Sequence, residues 1–178
     1  MSVADVKSKT DRLTNELKAA LENGSRYHFY KNPASQPNVQ YNVVKTLEFM
    51  TAHPTFNKAG HTNPMADYNK IVADINGKYW VEQMGVKEIW MWAYPAKVDM
   101  WESNMAGPYG DISNSDRDPN DMPVFAKTYV LFQYNYERET SEAAEDHMHQ
   151  FEVIFDHIDE KLFRGKFVGT TGEGRCGW

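Results

Sequence analysis

A short segment with the sequence EDHMHQFE contains residues that could bind a metal ion. His149 and Glu152 are three positions apart, so on a helix both could reach one ion, as Glu/His pairs do in helical-bundle metal sites. A third ligand would come from elsewhere, and His28, Glu88 and the carboxylates of a polar loop are candidates. A lone H-x-x-E pattern is not specific. The alternative is a solvated helix face with His147 packed partly buried at its edge.

A second polar cluster follows an apolar strand predicted at residues 86–94. The loop after this strand is too long for a simple connection, which is typical of functional loops. Ligands of parallel sheets usually lie beyond the carboxyl ends of the strands. The polar residues expected at that edge are Glu102, Asn104, Asp111, Asn114, Asp116, Arg117, Asn135, Glu137 and Arg138. They could bind a polar substrate or a hard cation, although turn geometry alone also favours such residues.

The run DISNSDRDPND in this loop places oxygen-bearing side chains at alternate positions, beginning with Asp111, Ser113 and Ser115. Calcium takes several oxygen ligands of this kind. The run lacks the glycine and the terminal glutamate of an EF-hand loop, so the motif is weak. Asp111 is nevertheless a candidate ligand for a divalent metal.

Glu88 is a charged residue inside the apolar strand at residues 86–94. If it is buried, a raised pKa would make it a general acid beside Glu102 or Asp111. If the strand lies at an edge of the sheet, Glu88 simply faces water. The residues alone favour neither reading.

The hydrophobic pattern predicts alternating helices and strands. We expect helices over residues 3–24, 63–85 and from Thr140 or Ser141 onward, and strands at 26–31, 86–94 and 128–136; residues 39–50 fit either type. The last helix carries an apolar stripe of Ala144, Met148, Phe151, Phe155, Ile158 and Leu162. This alternation predicts one α/β domain over residues 1–178, a layered sandwich with a largely parallel or mixed sheet flanked by helices.

Composition narrows the classes of partner. A net charge of −6 and a pI near 5.5 argue against nucleic acid or an anionic membrane surface, since both need a basic face. No apolar run approaches the ~18 residues of a membrane span, and the first residues lack a signal-peptide pattern. The single cysteine, Cys176, can form no internal disulfide. The oligomeric state is left open.

Several segments together resemble a group of uncharacterised, mostly secreted bacterial proteins. The segments are ADYNKIVADINGKYWVEQMGVKEIWMW, WESNMAGPYGDISNS, YNYERETSEAAEDHMHQFE and GRCGW. The resemblance implies a secreted or periplasmic protein and a chain shortened at its C-terminal end, but no activity. It implies a site containing the residues in the shared motifs, which are Glu88, Glu102, Asn104, Asn135, Arg138, His149 and Glu152.

The leading hypothesis is a metal-assisted hydrolase that acts on a glycan or a peptide. His149 and Glu152, together with Asp111, would bind zinc or calcium. Glu102 or Glu88 would act as acid or base, and Asn104, Asn135 and Arg138 would orient the substrate. One geometric objection is that Glu152 lies ~18 Å along a helix that starts near Thr140, far from the edge of the sheet.

Two other functions fit the sequence. A carbohydrate-binding module would present an exposed stacking surface of Trp90, Trp92, Trp101, Tyr94 and Tyr109. A structural or self-assembling surface protein would instead show large apolar patches and form a stable oligomer.

Overall fold

The computed structural model describes residues 2–28, 31–49, 51–94, 97–114, 118 and 120–169. The helices are α1 (Val3–Gly24), α2 (Tyr68–Asp74) and α3 (Thr140–Leu162), with π-helical segments at Tyr79–Gln83 and Phe163–Val168. The strands are β1 (Thr55–Phe56), β2 (Met65–Ala66), β3 (Glu88–Ala93), β4 (Ser103–Gly107), β5 (Gly110–Ser113) and β6 (Tyr129–Asn135). Helices packed around a sheet confirm the α/β class.

The main sheet has four strands in the order β3-β6-β4-β5. β3 and β6 are parallel, whereas β4 is antiparallel to both β6 and β5. Of the two sheet types that the sequence allows, the mixed one is therefore correct. The predicted strand at residues 86–94 is β3, but it is an edge strand of half-buried residues rather than one buried on both faces. It packs partly against α1, where Trp92 Nε1 donates to Thr14 Oγ1 at 2.8 Å.

The two faces of the sheet pack against different helices. On one face, Leu131 and Ala106 join Tyr68, Ile71 and other residues around α2 in a core cluster. On the other face, Phe132 and Tyr134 pack with Leu17 of α1 and Ala143 of α3. The alternation of side chains along β6 thus divides the core into two layers.

Helix α1 begins and ends where the sequence predicts. Ser2 caps it by accepting from the Asp5 backbone N–H, and the Asp5 carboxylate accepts in return from the Ser2 backbone at 2.8 Å. Leu13 and Leu17 are its buried residues. This capping box and the apolar spacing are local signals, and local signals suffice for a helix of this length.

The predicted helix at residues 63–85 is wrong in its bounds. Met65 and Ala66 form β2 instead, and α2 starts after Asp67, whose side chain accepts from the Lys70 backbone N–H. The helix ends by residue 75 because Asn76 has a φ of +57°, a conformation that a right-handed helix cannot include. Pairing of β2 with β1 overrides the helical pattern of the first residues.

The segment between α1 and β1 also differs from expectation. Arg26 forms only an isolated antiparallel bridge with Pro37, and residues 27, 28 and 31 lie in turns rather than in a strand, while residues 29 and 30 lie outside the described part. Residues 39–49 form neither helix nor strand. Side chains of α1 hold this segment instead, since the Tyr41 backbone N–H donates to Glu22 Oε1 at 2.8 Å and that of Val39 to Ser25 Oγ at 3.1 Å.

The predicted long loop after β3 contains the β4–β5 hairpin. Gly107 pairs with Gly110 across a two-residue turn, and Gly110 takes a φ of +133° that disfavours other residues. Glu102 immediately precedes this hairpin, and Asn104 and Asp111 are strand residues within it. Within the described residues, no helix is both long enough and apolar enough to cross a membrane.

Candidate functional site

A cleft of about 420 Å³ opens between the end of β6 and the first turns of α3. Its charged lining residues are Asp99, Glu102, Arg138, Glu142 and Asp146. Four carboxyl groups thus face one guanidinium group. The cleft lies beyond the carboxyl end of β6, the edge where the sequence predicts a site.

Three side chains at this cleft have the arrangement of a metal-ligand set. Glu102, Asp146 and His149 each offer one ligand atom, and these atoms lie within 4.8 Å of one another. His149 Nδ1 is 2.9 Å from Glu102 Oε2, and the same oxygen accepts from the Asn114 side-chain amide. The hydrogen bond to Glu102 raises the pKa of His149.

Of the three residues in this group, Asp146 has the fewest partners for its charge. The residue is 8% exposed, and none of the described residues forms a hydrogen bond or ion pair with its carboxyl group. Burial, with the nearby Glu102 carboxylate adding to it, raises the pKa of Asp146 to about 7. A buried carboxyl group in this setting favours a bound proton or a bound cation.

Buried aromatic packing holds Glu102 in position. The preceding residue, Trp101, stacks on Tyr68 with ring centroids 4.6 Å apart. The Tyr68 hydroxyl accepts from the Trp101 backbone N–H at 2.8 Å and donates to Gln133 Oε1 at 2.9 Å. The Gln133 backbone N–H donates to the Glu102 carbonyl oxygen at 2.9 Å. The carboxylate therefore projects from a backbone tied to both α2 and β6.

The structure brings five of the predicted site residues together. Asn135 and Arg138 line the cleft with Glu102, and both His149 and Asn114 contact the Glu102 carboxylate. Asn135 Oδ1 accepts from the backbone N–H of residue 137 at 2.9 Å, which closes the turn after β6. Arg138 forms an ion pair with Glu142 of α3.

Four other predicted site residues lie elsewhere. Asn104 is buried in β4, where its amide contacts Met122 Sδ at 3.6 Å. Asp111 pairs with Ala106 and so faces the α2 side of the sheet, away from α3. Glu152 is exposed on α3 and is not in the group around His149. Glu88 lies at the start of β3, roughly 16 Å of strand from the end that borders the cleft.

Asp146 is the site residue that the sequence reading missed. It is three positions before His149, the same helical spacing that drew attention to Glu152 on the other side. The sequence therefore contains a D-x-x-H pattern, formed by Asp146 and His149, next to the H-x-x-E pattern of His149 and Glu152. Position decides between them, because Asp146 lies six residues, or nearly two turns, closer than Glu152 to the N-terminal end of α3, which borders the cleft.

The described residues of the run DISNSDRDPND, which the sequence suggests as a calcium site, do not come together as one set of ligands. Asp111 and Ser113 belong to β5, whereas Asp118 and Asp121 pair with Lys58. Ser115, Asp116 and Arg117 lie outside the described part of the chain.

The tryptophan surface expected of a carbohydrate-binding module is not seen. Of the tryptophans that the structure describes, Trp101 is buried and Trp80, Trp90 and Trp92 are half-buried. Trp178 lies outside the described residues. Tyr94 and Tyr109 are exposed, but none of the tryptophans in the described part of the chain is.

Glu88 belongs to a separate, mostly buried polar network. Its carboxylate accepts from Trp90 Nε1 at 2.7 Å and from the Tyr41 hydroxyl at 3.5 Å. The two ring nitrogens of His147 contact the hydroxyls of Tyr41 and Tyr134, each at 3.1 Å. Burial lowers the pKa of His147 to about 4, so it is neutral at pH 7 and its 3.8 Å approach to Glu88 is not an ion pair.

We expect Glu88→Gln to raise the melting temperature at pH 8, with a difference that shrinks toward pH 4. Burial raises the pKa of Glu88, although the bonds from Trp90 and Tyr41 oppose the rise. The folded protein therefore binds the Glu88 proton more tightly than the unfolded chain, and stability is lost as pH rises through the folded-state pKa. Thermal unfolding of both proteins from pH 4 to 8 measures this. A pH-independent difference would mean that ionisation of Glu88 costs nothing.

Comparison of the chain with protein-family models, curated proteins and solved structures finds no match. The similarity to secreted bacterial proteins, and the location that it implies, therefore stay predictions.

Proposed function

We propose that the protein is a hydrolase assisted by a divalent metal, which acts on a glycan or a peptide in the cleft at the end of β6. His149, Glu102 and Asp146 are the proposed ligands. The observation that carries the proposal is the position of Asp146. The residue is 8% exposed, its carboxyl group has no hydrogen-bond partner among the described residues, and it lies within 4.8 Å of ligand atoms of the other two residues.

The donor set suits zinc better than calcium. Imidazole nitrogen and carboxylate oxygen are both zinc ligands, and catalytic zinc sites take three protein ligands and leave a position open. Calcium prefers six to eight oxygen ligands, and the group around His149 does not offer so many. When bound, such an ion supplies Lewis acidity and makes water a stronger nucleophile at neutral pH.

The remaining cleft residues have roles that follow from their charges. Arg138, held by Glu142, provides a positive charge for an anionic or strongly polar substrate group. The Asn135 amide nitrogen can donate to a substrate carbonyl or hydroxyl group. With Glu102 assigned as a ligand and Glu88 distant, neither is left as the acid or base that the sequence suggests.

Asp99 adds a second ionised carboxylate to the cleft. Its carboxylate accepts from Asn63 Nδ2 at 2.9 Å and lies 2.9 Å from His61 Nδ1. These bonds lower the pKa of Asp99, so the group is ionised at neutral pH and can accept a hydrogen bond from a substrate hydroxyl group or from water.

Metal content and thermal unfolding test the proposal. Protein purified without chelator or affinity nickel is expected to hold one zinc per chain and to lose it to EDTA together with stability. Free zinc at a hundred times its dissociation constant should restore about 2.7 kcal/mol. Hydrolysis of glycan and peptide panels is then compared for the zinc-loaded and EDTA-treated protein.

Two exposed or half-exposed residues of α3 provide a matched pair of variants. His149→Ala should abolish both zinc binding and the zinc-dependent rise in melting temperature. Glu152→Ala, one turn further along the helix, should leave both unchanged. Absence of zinc and of any thermal shift in the wild type would refute the metal site, and equal losses in the two variants would refute the proposed ligand set.

A further inference from the structure

The apolar stripe of α3 is exposed rather than packed in the core. Residues of α3 that are buried are Ala143, Asp146, His147 and Gln150. The side chains that we call the phenylalanine face are Met148, Phe151, Phe155, Ile158, Leu162 and Phe167. They are each between 39% and 71% exposed. Apolar helix faces of this kind in soluble proteins usually mark a contact with another molecule.

A turn in the chain gives this face a defined shape. The backbone of Asp159 is non-helical, and its side chain accepts from the Leu162 backbone N–H at 2.8 Å, so a new helical segment starts there. Arg164 pairs with Asp156 across the turn. The fold-back brings the Phe155 ring within 6.5 Å of the Phe167 ring and within 5.5 Å of the nearly buried Phe163 ring.

A small apolar hollow adjoins the same face. It has a volume of about 190 Å³ and lies between α3 and the β4–β5 hairpin, with Ile158, Ile154, Met105 and Ile112 in its lining. This volume is below the ~300–1,000 Å³ of small-molecule sites, which suits a single apolar side chain. Tyr109, at the tip of the hairpin and 95% exposed, borders the hollow.

We propose that the phenylalanine face is the contact surface of a homodimer. Its exposed area is on the order of 600 Å², and Tyr109, which is 95% exposed and adjoins the face at the hollow, brings the surface close to the roughly 800 Å² per partner of a specific protein interface. A two-fold axis would place the face against its own copy, and each copy would then offer both a protruding aromatic residue and a hollow. The net charge of −6 disfavours an anionic lipid surface as the occupant.

Sedimentation velocity over protein concentrations from ~1 to ~100 µM tests the dimer, because interfaces of this size have affinities from about micromolar to picomolar. The wild type is expected to sediment as a dimer at the upper end. Ile158→Glu and Phe167→Glu should each weaken association at least tenfold, because a buried charge would replace an apolar contact. Val124→Glu, a change at a similarly exposed apolar residue before β6, is the control and should still dimerise.

Two results would overturn the proposal. One is a wild type that stays monomeric at every concentration, including a monomer whose face binds another protein or lipid vesicles. The other is a dimer that survives both glutamate variants. Because the substituted side chains are exposed, melting temperatures of dilute variants should match that of the dilute wild type, which excludes misfolding as the cause. The proposal is independent of the metal site.

Discussion

Replacing Trp101 by alanine is expected to lower the free energy of unfolding by about 3–5 kcal/mol. Trp101 is 1% exposed and stacks nearly parallel on Tyr68, with an interplanar angle of 6°. Removal of the indole leaves a cavity in the core cluster between the sheet and α2, and the surrounding residues can fill this cavity only in part. Equilibrium unfolding in urea, followed by circular dichroism, measures the loss.

Trp101→Phe is the informative comparison. The indole N–H is buried without a hydrogen-bond partner among the described residues, so its removal costs nothing in hydrogen bonding. We expect phenylalanine to keep most of the stacking with Tyr68 and to lose markedly less stability than alanine. A loss below about 1 kcal/mol for Trp101→Ala would contradict the packing described for this core.

The second large effect is expected for Asp146→Asn, which should change stability and metal binding in opposite directions. Without metal, the carboxyl group of Asp146, a residue that is 8% exposed, has no hydrogen-bond partner among the described residues and lies close to the Glu102 carboxylate. An amide of the same shape removes this repulsion, so the metal-free variant should melt at a higher temperature at pH 7.5. An amide is also a much weaker zinc ligand, so zinc affinity should fall at least 100-fold.

This pair of opposite changes separates a metal ligand from a structural carboxylate. Thermal unfolding of wild type and Asp146→Asn, each with EDTA and with zinc, gives both quantities from the same samples. Glu160→Gln serves as the control, since Glu160 is exposed near the other end of α3 and does not belong to the ligand group. A variant that is less stable without metal would show that Asp146 stabilises the fold, and the proposed role would then be wrong.

The positions of the candidate site residues show which contacts the sequence alone does not predict. Glu102, Asn135, Arg138 and His149 were recognised because polar residues at strand ends and on one helix tend to meet at the ligand edge of a sheet. Their partner Asp146 was missed, and Glu152 and Asp111 do not join the site. Helical spacing places both Asp146 and Glu152 next to His149, and only the position of α3 relative to β4 selects between them.

The packing of the apolar stripe of α3 is also not predicted by the sequence alone. The periodicity of the stripe correctly predicts a helix. The stripe alone does not show which side of that helix packs on the sheet. In the structure α3 buries the polar residues His147 and Gln150. This is possible because two tyrosine hydroxyls contact the His147 ring nitrogens and the Gln150 amide donates to the Ile112 carbonyl oxygen at 3.4 Å.

The sequence by itself determined the α/β class, helix α1 with its capping box, and strands β3 and β6. These depend on side-chain spacing and capping within a few neighbouring residues, which the linear order contains. Only the tertiary structure decided that β3 is an edge strand, that the polar loop forms a hairpin, and that Glu102 and Asp146 meet His149. Strand pairing and helix docking join residues distant in the chain, and many arrangements bury similar apolar area, so local patterns cannot select among them.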